Sequence, residues 1–389
     1  MESHSIYLHI PFCRHRCAYC DFNTYTGLEV LIPEYGQALV NEITYLAECA
    51  GNRIPVHTIY FGGGTPSLFP AQQFETVFSV LESAFYFQHE LEVTIEVNPG
   101  TLSLKYLQDL RTMGFNRLSV GMQSAHPEDL SILERKHDYP DVIDAVKWAR
   151  QAGFDNLSLD LIYGLPDQLV EIWDRSLTLA LGLNPEHFSL YALTLEFDTP
   201  MYQWAYRGLL NTPDPDIAAE MYEVACEKLE IAGYPQYEIS NWAQSPLSKY
   251  QSQHNLQYWR NQPYLGFGAG AHGFAGGVRT ANVLSPMAYI QRNKEGRVRE
   301  FPRTPATIDA QVIDQETEMS ETMMMGLRLT REGVSERRFQ ARFECSITDV
   351  FGAEVEKLIA LGLLEWTGDI LRLTPRGRLV GNQVFVEFV

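Results

Sequence analysis

The chain has 389 residues, 45% of them apolar and 20% charged. It is long enough for two or three packed domains and too apolar for a largely disordered polymer. Its formal net charge of −19 argues against a duplex nucleic-acid binder, which needs a basic footprint, and against electrostatic docking on anionic lipid.

The opening MESHSIYLHIPFC lacks a basic segment followed by a long apolar run, so no signal peptide is expected. No apolar stretch reaches the roughly 18 residues of a spanning helix, and the expected location is the cytoplasm. Strands are predicted at Ser5–Ile10, His57–Phe61, Glu92–Val97, Arg117–Val120, Asn156–Ile162 and His187–Leu193. Each is followed by a predicted helix: Tyr35–Cys49, Ala71–Phe85, Leu104–Met113, Pro140–Ala152, Leu169–Leu183 and Asp214–Ala232. Helix Ala71–Phe85 places Phe74, Val77, Phe78 and Leu81 on one face. Six strand–helix units in strict alternation imply a parallel sheet with helical crossovers, either a partial barrel or a wide open sheet. In both, functional groups collect at the carboxyl ends of the strands.

Beyond Gly233 the periodicity breaks. Residues 234–302 are rich in Gln, Asn, Tyr, Trp and Gly, and read as a substrate-facing insert or linker layer rather than as core. Three helices are then predicted at Thr317–Leu327, Ser335–Phe343 and Val350–Leu361. Leu363–Trp366 and Ile370–Thr374 flank Thr367-Gly368-Asp369, a hairpin signal. This pattern resembles a winged-helix module, but residues 301–389 hold 10 Lys/Arg against 14 Asp/Glu. A DNA-reading wing is basic, so a packing or cap role is expected. The division is therefore 1–235, 236–304 and 305–389.

Of the six cysteines, Cys13, Cys17 and Cys20 crowd together, while Cys49, Cys226 and Cys345 carry no pattern. Three close thiolates can hold three irons of a four-iron cluster, which ordinarily takes four cysteines. One iron would then lack a protein thiolate, and an open position marks a reactive site. The alternatives are unrelated thiols or zinc, although zinc sites prefer paired C-x2-C units. Gly62–Gly64 follow the second strand and place bare backbone at its end, as a ligand contact or a plain tight turn. Glu96, Gln123 and Asp160 end the next three strands, as ligand contacts or solvated polar groups. Arg135 can hold a carboxylate or lie free on the surface. In His254-Asn255-x-x-Tyr258-Trp259 the imidazole is either an iron ligand beneath aromatic cover or a hydrogen-bonded histidine packed on its neighbours. His272, in a glycine-rich stretch, is a second ligand candidate and His9 a third.

The string HIPFCRHRCAYCDF resembles the radical S-adenosylmethionine signature, C-x3-C-x2-C with an aromatic, here Tyr19, before the last cysteine. The resemblance implies a partial (β/α)6 TIM-like barrel with a C-terminal helical, winged-helix-like domain. It also implies a [4Fe-4S] cluster on Cys13, Cys17 and Cys20. The cluster's open iron would take the methionine moiety of S-adenosylmethionine, and its electron would cleave the sulfonium to an adenosyl radical. Tyr7-x-His9-Ile10-Pro11-Phe12-Cys13, Tyr60-Phe61-Gly62-Gly63-Gly64-Thr65-Pro66, Glu96-Val97-Asn98-Pro99 and Gly121-Met122-Gln123-Ser124 narrow it. They resemble the oxygen-independent coproporphyrinogen III oxidase family, and within it the HemW heme-chaperone branch. That likeness implies cofactor contacts at Tyr7, Tyr19, Gly63, Gly64, Thr65, Glu96, Gln123, Arg135, Asp160 and Ala192. The His254–Trp259 string resembles a hallmark of that branch and implies heme contacts at His254, Asn255, Tyr258 and Trp259, with His272 kept as the second candidate from its own glycine-rich stretch.

Two departures from the oxidases matter. Phe22 stands where they carry a fourth cysteine, and their longer segment before the cluster is missing. The expected function is therefore a heme chaperone rather than an enzyme. It would bind heme and pass it to an acceptor heme protein, such as a respiratory one, with a flavodoxin- or ferredoxin-type electron donor. The alternative is oxidative decarboxylation of coproporphyrinogen III, whose carboxylates Arg260, Arg279 and Arg292 could meet. A radical enzyme acting on nucleic acid is disfavoured by the acidic balance.

Overall fold

The structure, a computed structural model, describes residues 3–245, 248–296 and 300–389. The chain divides into two compact units, residues 1–227 with 263–311, and residues 228–262 with 312–389. Residues 236–304, read from the sequence as one connecting region, are thus shared between both units.

The first unit contains six parallel strands: β1 (His4–Ile10), β2 (Pro55–Gly63), β3 (Tyr86–Val97), β4 (Arg117–Gln123), β5 (Leu157–Tyr163) and β6 (His187–Ala192). Each lies beside the next in chain order. Between them run α1 (Ile32–Ala50), α2 (Ala71–Ala84), α3 (Leu104–Thr112), α4 (Tyr139–Gln151) and α5 (Val170–Gly182). This is an α/β fold of the partial-barrel kind. Only the second half of β3 was predicted. Its first half, Tyr86–Glu90, is mostly exposed and polar, so no buried alternation marks it.

Alternation along the strands decides what faces where. Ile6, Leu8, Ile59, Phe61, Val93, Ile95, Leu118, Val120, Leu157, Leu159, Phe188 and Leu190 are buried. They form the apolar face that packs on the helices. The intervening residues face the barrel lumen and are polar: Ser5 and Tyr7 on β1, Thr58 and Tyr60 on β2, and Thr94 and Glu96 on β3. Arg117 and Ser119 follow on β4, Ser158 and Asp160 on β5, and His187 and Ser189 on β6. The core therefore lies outside the barrel, and its interior is a column of hydrogen-bonding groups.

The expectation of a linker layer at residues 234–302 is corrected in part. Tyr264–Phe267 runs parallel to β1. His272–Ala275 and Val278–Asn282 extend the sheet antiparallel, and Thr307–Val312 follows at that side. Glycine hid these strands. A Cβ on Gly266 would lie 1.9 Å from the carbonyl oxygen of His272, so the pairing requires the residue that lowers strand propensity. The fully buried Glu42 of α1 ties this extension down. It accepts from Gly268 N (2.9 Å), Asn282 Nδ2 (2.7 Å), Tyr289 Oη (2.5 Å) and Thr304 Oγ1 (2.7 Å).

In the second unit, Gln236–Glu238 pairs with Asn241–Ala243, and a short helix spans Gln253–Trp259. Helices Gln315–Gly326, Glu336–Phe343 and Ile347–Ala360 precede the hairpin Leu364–Thr367/Ile370–Leu373, to which Val334–Ser335 adds a third strand. Phe339, Ile347, Leu358, Leu371, Leu373 and Val384 are among the residues of its core.

Candidate functional site

The cysteine loop leaves the end of β1. Phe12–Cys13 pairs with Tyr25–Thr26 and closes the loop at its base. Cys13 is buried; Cys17 and Cys20 are half-buried. Polar groups lie at each thiol: Thr65 Oγ1 donates to Cys13 Sγ (3.5 Å), Arg135 Nη1 to Cys17 Sγ (3.6 Å), and Cys20 Sγ lies 3.9 Å from Thr24 Oγ1. Burial pushes the Cys13 thiol up to about 11, and the other two thiols add to the rise. Thiolates placed together in poor solvent favour a cation. Among the described residues, no three His, Cys, Asp or Glu side chains converge on a single ion. Three thiols on one loop can each serve one iron of a cluster.

The glycine run at the end of β2 sits against this loop. Gly64 N donates to Ile10 O (2.9 Å) and Thr65 N to Phe12 O (2.8 Å). A Cβ on Gly64 would meet Phe12 O at 2.7 Å and Cys13 Sγ at 3.0 Å. Gly63 has φ +115, and a Cβ there would lie 2.6 Å from the His9 ring. These glycines are therefore required by close approach, beyond what a turn needs.

Around the rim, Glu96 accepts from Tyr60 Oη (2.9 Å) and Gly63 N (3.1 Å). Burial, with Asp160 adding to it, raises its carboxyl to about 7. Asp160 accepts from Ser119 Oγ (2.7 Å) and Ser158 Oγ (2.9 Å), and burial raises it too. Tyr7, half-buried, stacks on Tyr60 at 6.2 Å. His9 Nε2 donates to Asn23 O (2.8 Å), so its Nδ1 accepts from Tyr7 Oη (2.9 Å). Arg135 Nη2 donates to Gly121 O (3.1 Å), and Tyr19 hydrogen-bonds the same guanidinium. Gln123 ends β4 at φ +62, a left-handed conformation that costs a non-glycine residue about 1 kcal/mol or more. Ala192 is exposed at the end of β6. The structure thus brings Tyr19, Gly63, Gly64, Thr65, Glu96, Gln123, Arg135 and Ala192 to strand ends and the loops beyond them, whereas Tyr7 and Asp160 lie mid-strand on the lumen face, Asp160 three residues short of the strand end expected for it.

The heme candidates divide. His254, 1% exposed, has Nε2 2.8 Å from Tyr258 Oη, edge-to-face with that ring. Ser252 caps the helix by accepting from Asn255 N. Trp259 is covered by the Arg328 guanidinium, 4.3 Å from its ring centre. His272 instead is exposed at the start of its strand. The arginines weighed for a polycarboxylate are engaged: Arg260 with Glu332 (2.7 Å), Arg292 with Pro305 O and Thr307 O, and Arg279 over Phe274.

Sequence reasoning missed Tyr60, Ser119, Ser158, Ser189, Arg117 and His187 in the lumen. The signal was present as polar residues at every second position of otherwise apolar strands. It also missed Asn23, which donates to Ala269 O and Leu284 O (both 3.0 Å) and so joins the cysteine loop to the sheet extension.

Comparison with known proteins adds relatives. Residues 7–180 match the Radical SAM superfamily and residues 313–380 the HemN C-terminal domain. The chain is 38% identical to the heme chaperone HemW of Bacillus subtilis, over 99% of each chain. It is 35% identical to that of Escherichia coli, over 99% of this chain and 98% of that one. A mouse protein described as radical S-adenosyl methionine domain-containing protein 1, mitochondrial, is 36% identical over 92% of this chain and 81% of its own. Among solved structures, coproporphyrinogen III oxidase (HemN) of Escherichia coli matches with a TM-score of 0.83. It covers 100% of this chain and 90% of that one at 24% identity, a likeness of fold.

Proposed function

We infer the function from one premise: the chain belongs to the HemW heme-chaperone family within the radical SAM superfamily. The protein binds a [4Fe-4S] cluster on Cys13, Cys17 and Cys20, takes S-adenosylmethionine at the rim, and carries heme to an acceptor heme protein. The observation that carries this reading is the rim itself. Three buried or half-buried thiols share one loop, with Cys13 beside the Gly64 backbone, and two half-buried carboxylates, Glu96 and Asp160, face the lumen from separate strands.

When bound, the cluster supplies an electron toward the cofactor's sulfonium. The chain's own groups do the rest. Thr65 and Arg135 direct hydrogen bonds at the sulfur atoms of Cys13 and Cys17. Glu96 and Asp160 offer carboxylate oxygens to a ligand that carries positive charge. Tyr7 and Tyr60 wall the opening beside them.

For heme, His254 is the proposed axial ligand, with Asn255, Tyr258 and Trp259 around it. Its burial sets a condition, because the contact between Tyr258 Oη and His254 Nε2 must open before that nitrogen can reach iron. His272 is the ligand already open to solvent. An oxidase role has less support, since Phe22 replaces a fourth thiol and Arg260 is ion-paired with Glu332. No helix among the described residues is long and apolar enough to cross a membrane, and the proposed location is the cytoplasm. An electron donor of the flavodoxin or ferredoxin type is proposed with it.

The test is anaerobic reconstitution followed by two assays on one sample: a heme titration read at the Soret band, and product analysis with coproporphyrinogen III. Heme binding without decarboxylation supports the chaperone. Decarboxylation without heme binding overturns it in favour of the oxidase.

A further inference from the structure

Asp160 is braced by neighbours on both sides of its strand. Ser119 of β4, Ser158 of β5 and His187 of β6 are partners in one row of the sheet, and Gly121, Asp160 and Ser189 form the next row toward the strand ends. Ser119, Ser158, His187 and Ser189 are buried, whereas Gly121 and Asp160 are half-buried. Solvent thus reaches this wall of the lumen down to the Asp160 row. A Cβ on Gly121 would lie 2.9 Å from Gln123 Nε2 and 3.2 Å from Arg135 Nη2, so the missing side chain leaves room beside the carboxyl for groups already read as rim contacts. Three hydroxyls serve Asp160: Ser119 Oγ donates to Oδ2 (2.7 Å), Ser158 Oγ donates to Oδ1 (2.9 Å), and Ser189 hydrogen-bonds the carboxyl as well. Ser158 Oγ also lies 2.8 Å from His187 Nδ1 and 3.2 Å from Ser189 Oγ. A serine hydroxyl has one proton to give and two lone pairs that accept. When its proton points at Asp160, the short contact to His187 is a hydrogen bond only if Nδ1 carries a hydrogen and donates. With the hydrogen on Nε2 instead, the Ser158 proton turns to Nδ1 and Asp160 Oδ1 loses its donor. Burial, and then the Arg117 charge, hold His187 well below its usual range, so the imidazole is neutral and one of its nitrogens is bare.

We propose that His187 is a positioning residue for the rim, acting through Ser158: it is the Nδ1–H tautomer, and its donation commits the Ser158 hydroxyl to Asp160. The inference rests on the reading that the rim takes S-adenosylmethionine. It adds how the carboxylate is presented to that ligand. Oδ2 is held by Ser119 and Oδ1 by Ser158, both from the closed row, so Asp160 is an acceptor of fixed direction before anything binds. Binding then spends little on ordering it. The imidazole supplies the one feature that the serine lacks, a donor that cannot turn round. Ser189, the other hydroxyl near Ser158, can rotate and accept, so it does not impose a direction.

The test is made on the reconstituted full chain. Nitrogen NMR of histidine-labelled protein reads the tautomer, with the His187 signal assigned from its loss in His187→Asn. S-adenosylmethionine affinity is measured by anaerobic calorimetry, with iron content and thermal melting as folding controls. The wild type should show the Nδ1–H tautomer at His187. His187→Phe and Ser158→Ala should each bind about fivefold more weakly, the worth of one hydrogen bond. His187→Asn, whose amide nitrogen offers a donor in place of Nδ1, should bind as the wild type does. In an Asp160→Ala background, His187→Phe should cost nothing further, whereas a merely structural histidine would cost the same in both backgrounds. An Nε2–H tautomer overturns the proposal. So does wild-type affinity in His187→Phe, or a loss that persists undiminished without Asp160. If His187→Phe does not fold, Ser158→Ala carries the same cycle with Asp160→Ala. If the wild type binds no S-adenosylmethionine, the functional reading fails, while the His187 tautomer and the shift of its signal in Ser158→Ala still decide whether the imidazole holds the serine.

Discussion

On the barrel rim, Glu96 takes its hydrogen bonds from Tyr60 and Gly63 of the neighbouring strand, and Asp160 takes one of its own from Ser119. In the helix Gln253–Trp259, His254 finds Tyr258 one turn later, and Trp259 lies under Arg328. The rim draws its polar groups from strands far apart in the chain. In the helix, His254 is satisfied locally and buried. A polar motif spaced i, i+4 can close on itself because helical geometry brings those positions together. Strand residues find most of their partners on neighbouring strands instead, as Glu96 does on Tyr60 and Gly63.

Four experiments would break or sharpen that contrast. The largest effect is expected at the thiols. Ala at Cys13, Cys17 or Cys20 should abolish the iron–sulfur chromophore, since each thiolate is assigned its own iron. Ala at Cys49, Cys226 or Cys345 should leave iron content and absorbance as in the wild type, and full loading of Cys13→Ala would remove the basis of the rim.

The next effect is on the cofactor. Glu96→Ala and Asp160→Ala should retain the cluster yet lose ~1.5–3 kcal/mol of S-adenosylmethionine binding, about 10- to 150-fold. Calorimetry showing wild-type affinity in both would count against a preformed rim.

A smaller effect follows from acidity. Glu96 titrates at about 7 in the folded chain, above its unfolded value, so folding stores a proton between those two values. Its contribution to stability is present at low pH and declines as pH rises toward and through 7. A cation at the rim favours the ionised form and expels that proton. Affinity for S-adenosylmethionine should therefore climb from pH 6 to 8, and Glu96→Gln should flatten the climb. A wild-type affinity independent of pH would contradict the assignment.

The smallest effect concerns the helix. Tyr258→Phe removes one hydrogen bond, worth about 1 kcal/mol. Heme should then bind the string faster and up to about fivefold more tightly, while the melting temperature falls slightly. His254→Ala should shift the Soret band. If only His272→Ala shifts it, the axial ligand is on the sheet extension and the buried string is structural.

Much of the barrel was legible beforehand. Strand–helix alternation, the C-x3-C-x2-C spacing and the polar residues at strand ends are local patterns with a local physical cause. The extension at 264–282 was not legible, because Gly266 removes the β-forming signal at the position where Gly266 and His272 backbones crowd together. The exposed half of β3 was missed for a related reason: without burial there is no alternation to read. Residue types alone left His254 poised between ligand and packed histidine, and the 2.8 Å contact with Tyr258 shows which state the folded chain adopts on its own. The sequence by itself determined the order of the elements, the three cysteines and the rim carboxylates, since periodicity and spacing encode them. Only the tertiary structure decided that the strands' polar face turns inward. Which side of a two-sided strand becomes the lumen depends on where the helices pack, and no single strand carries that information.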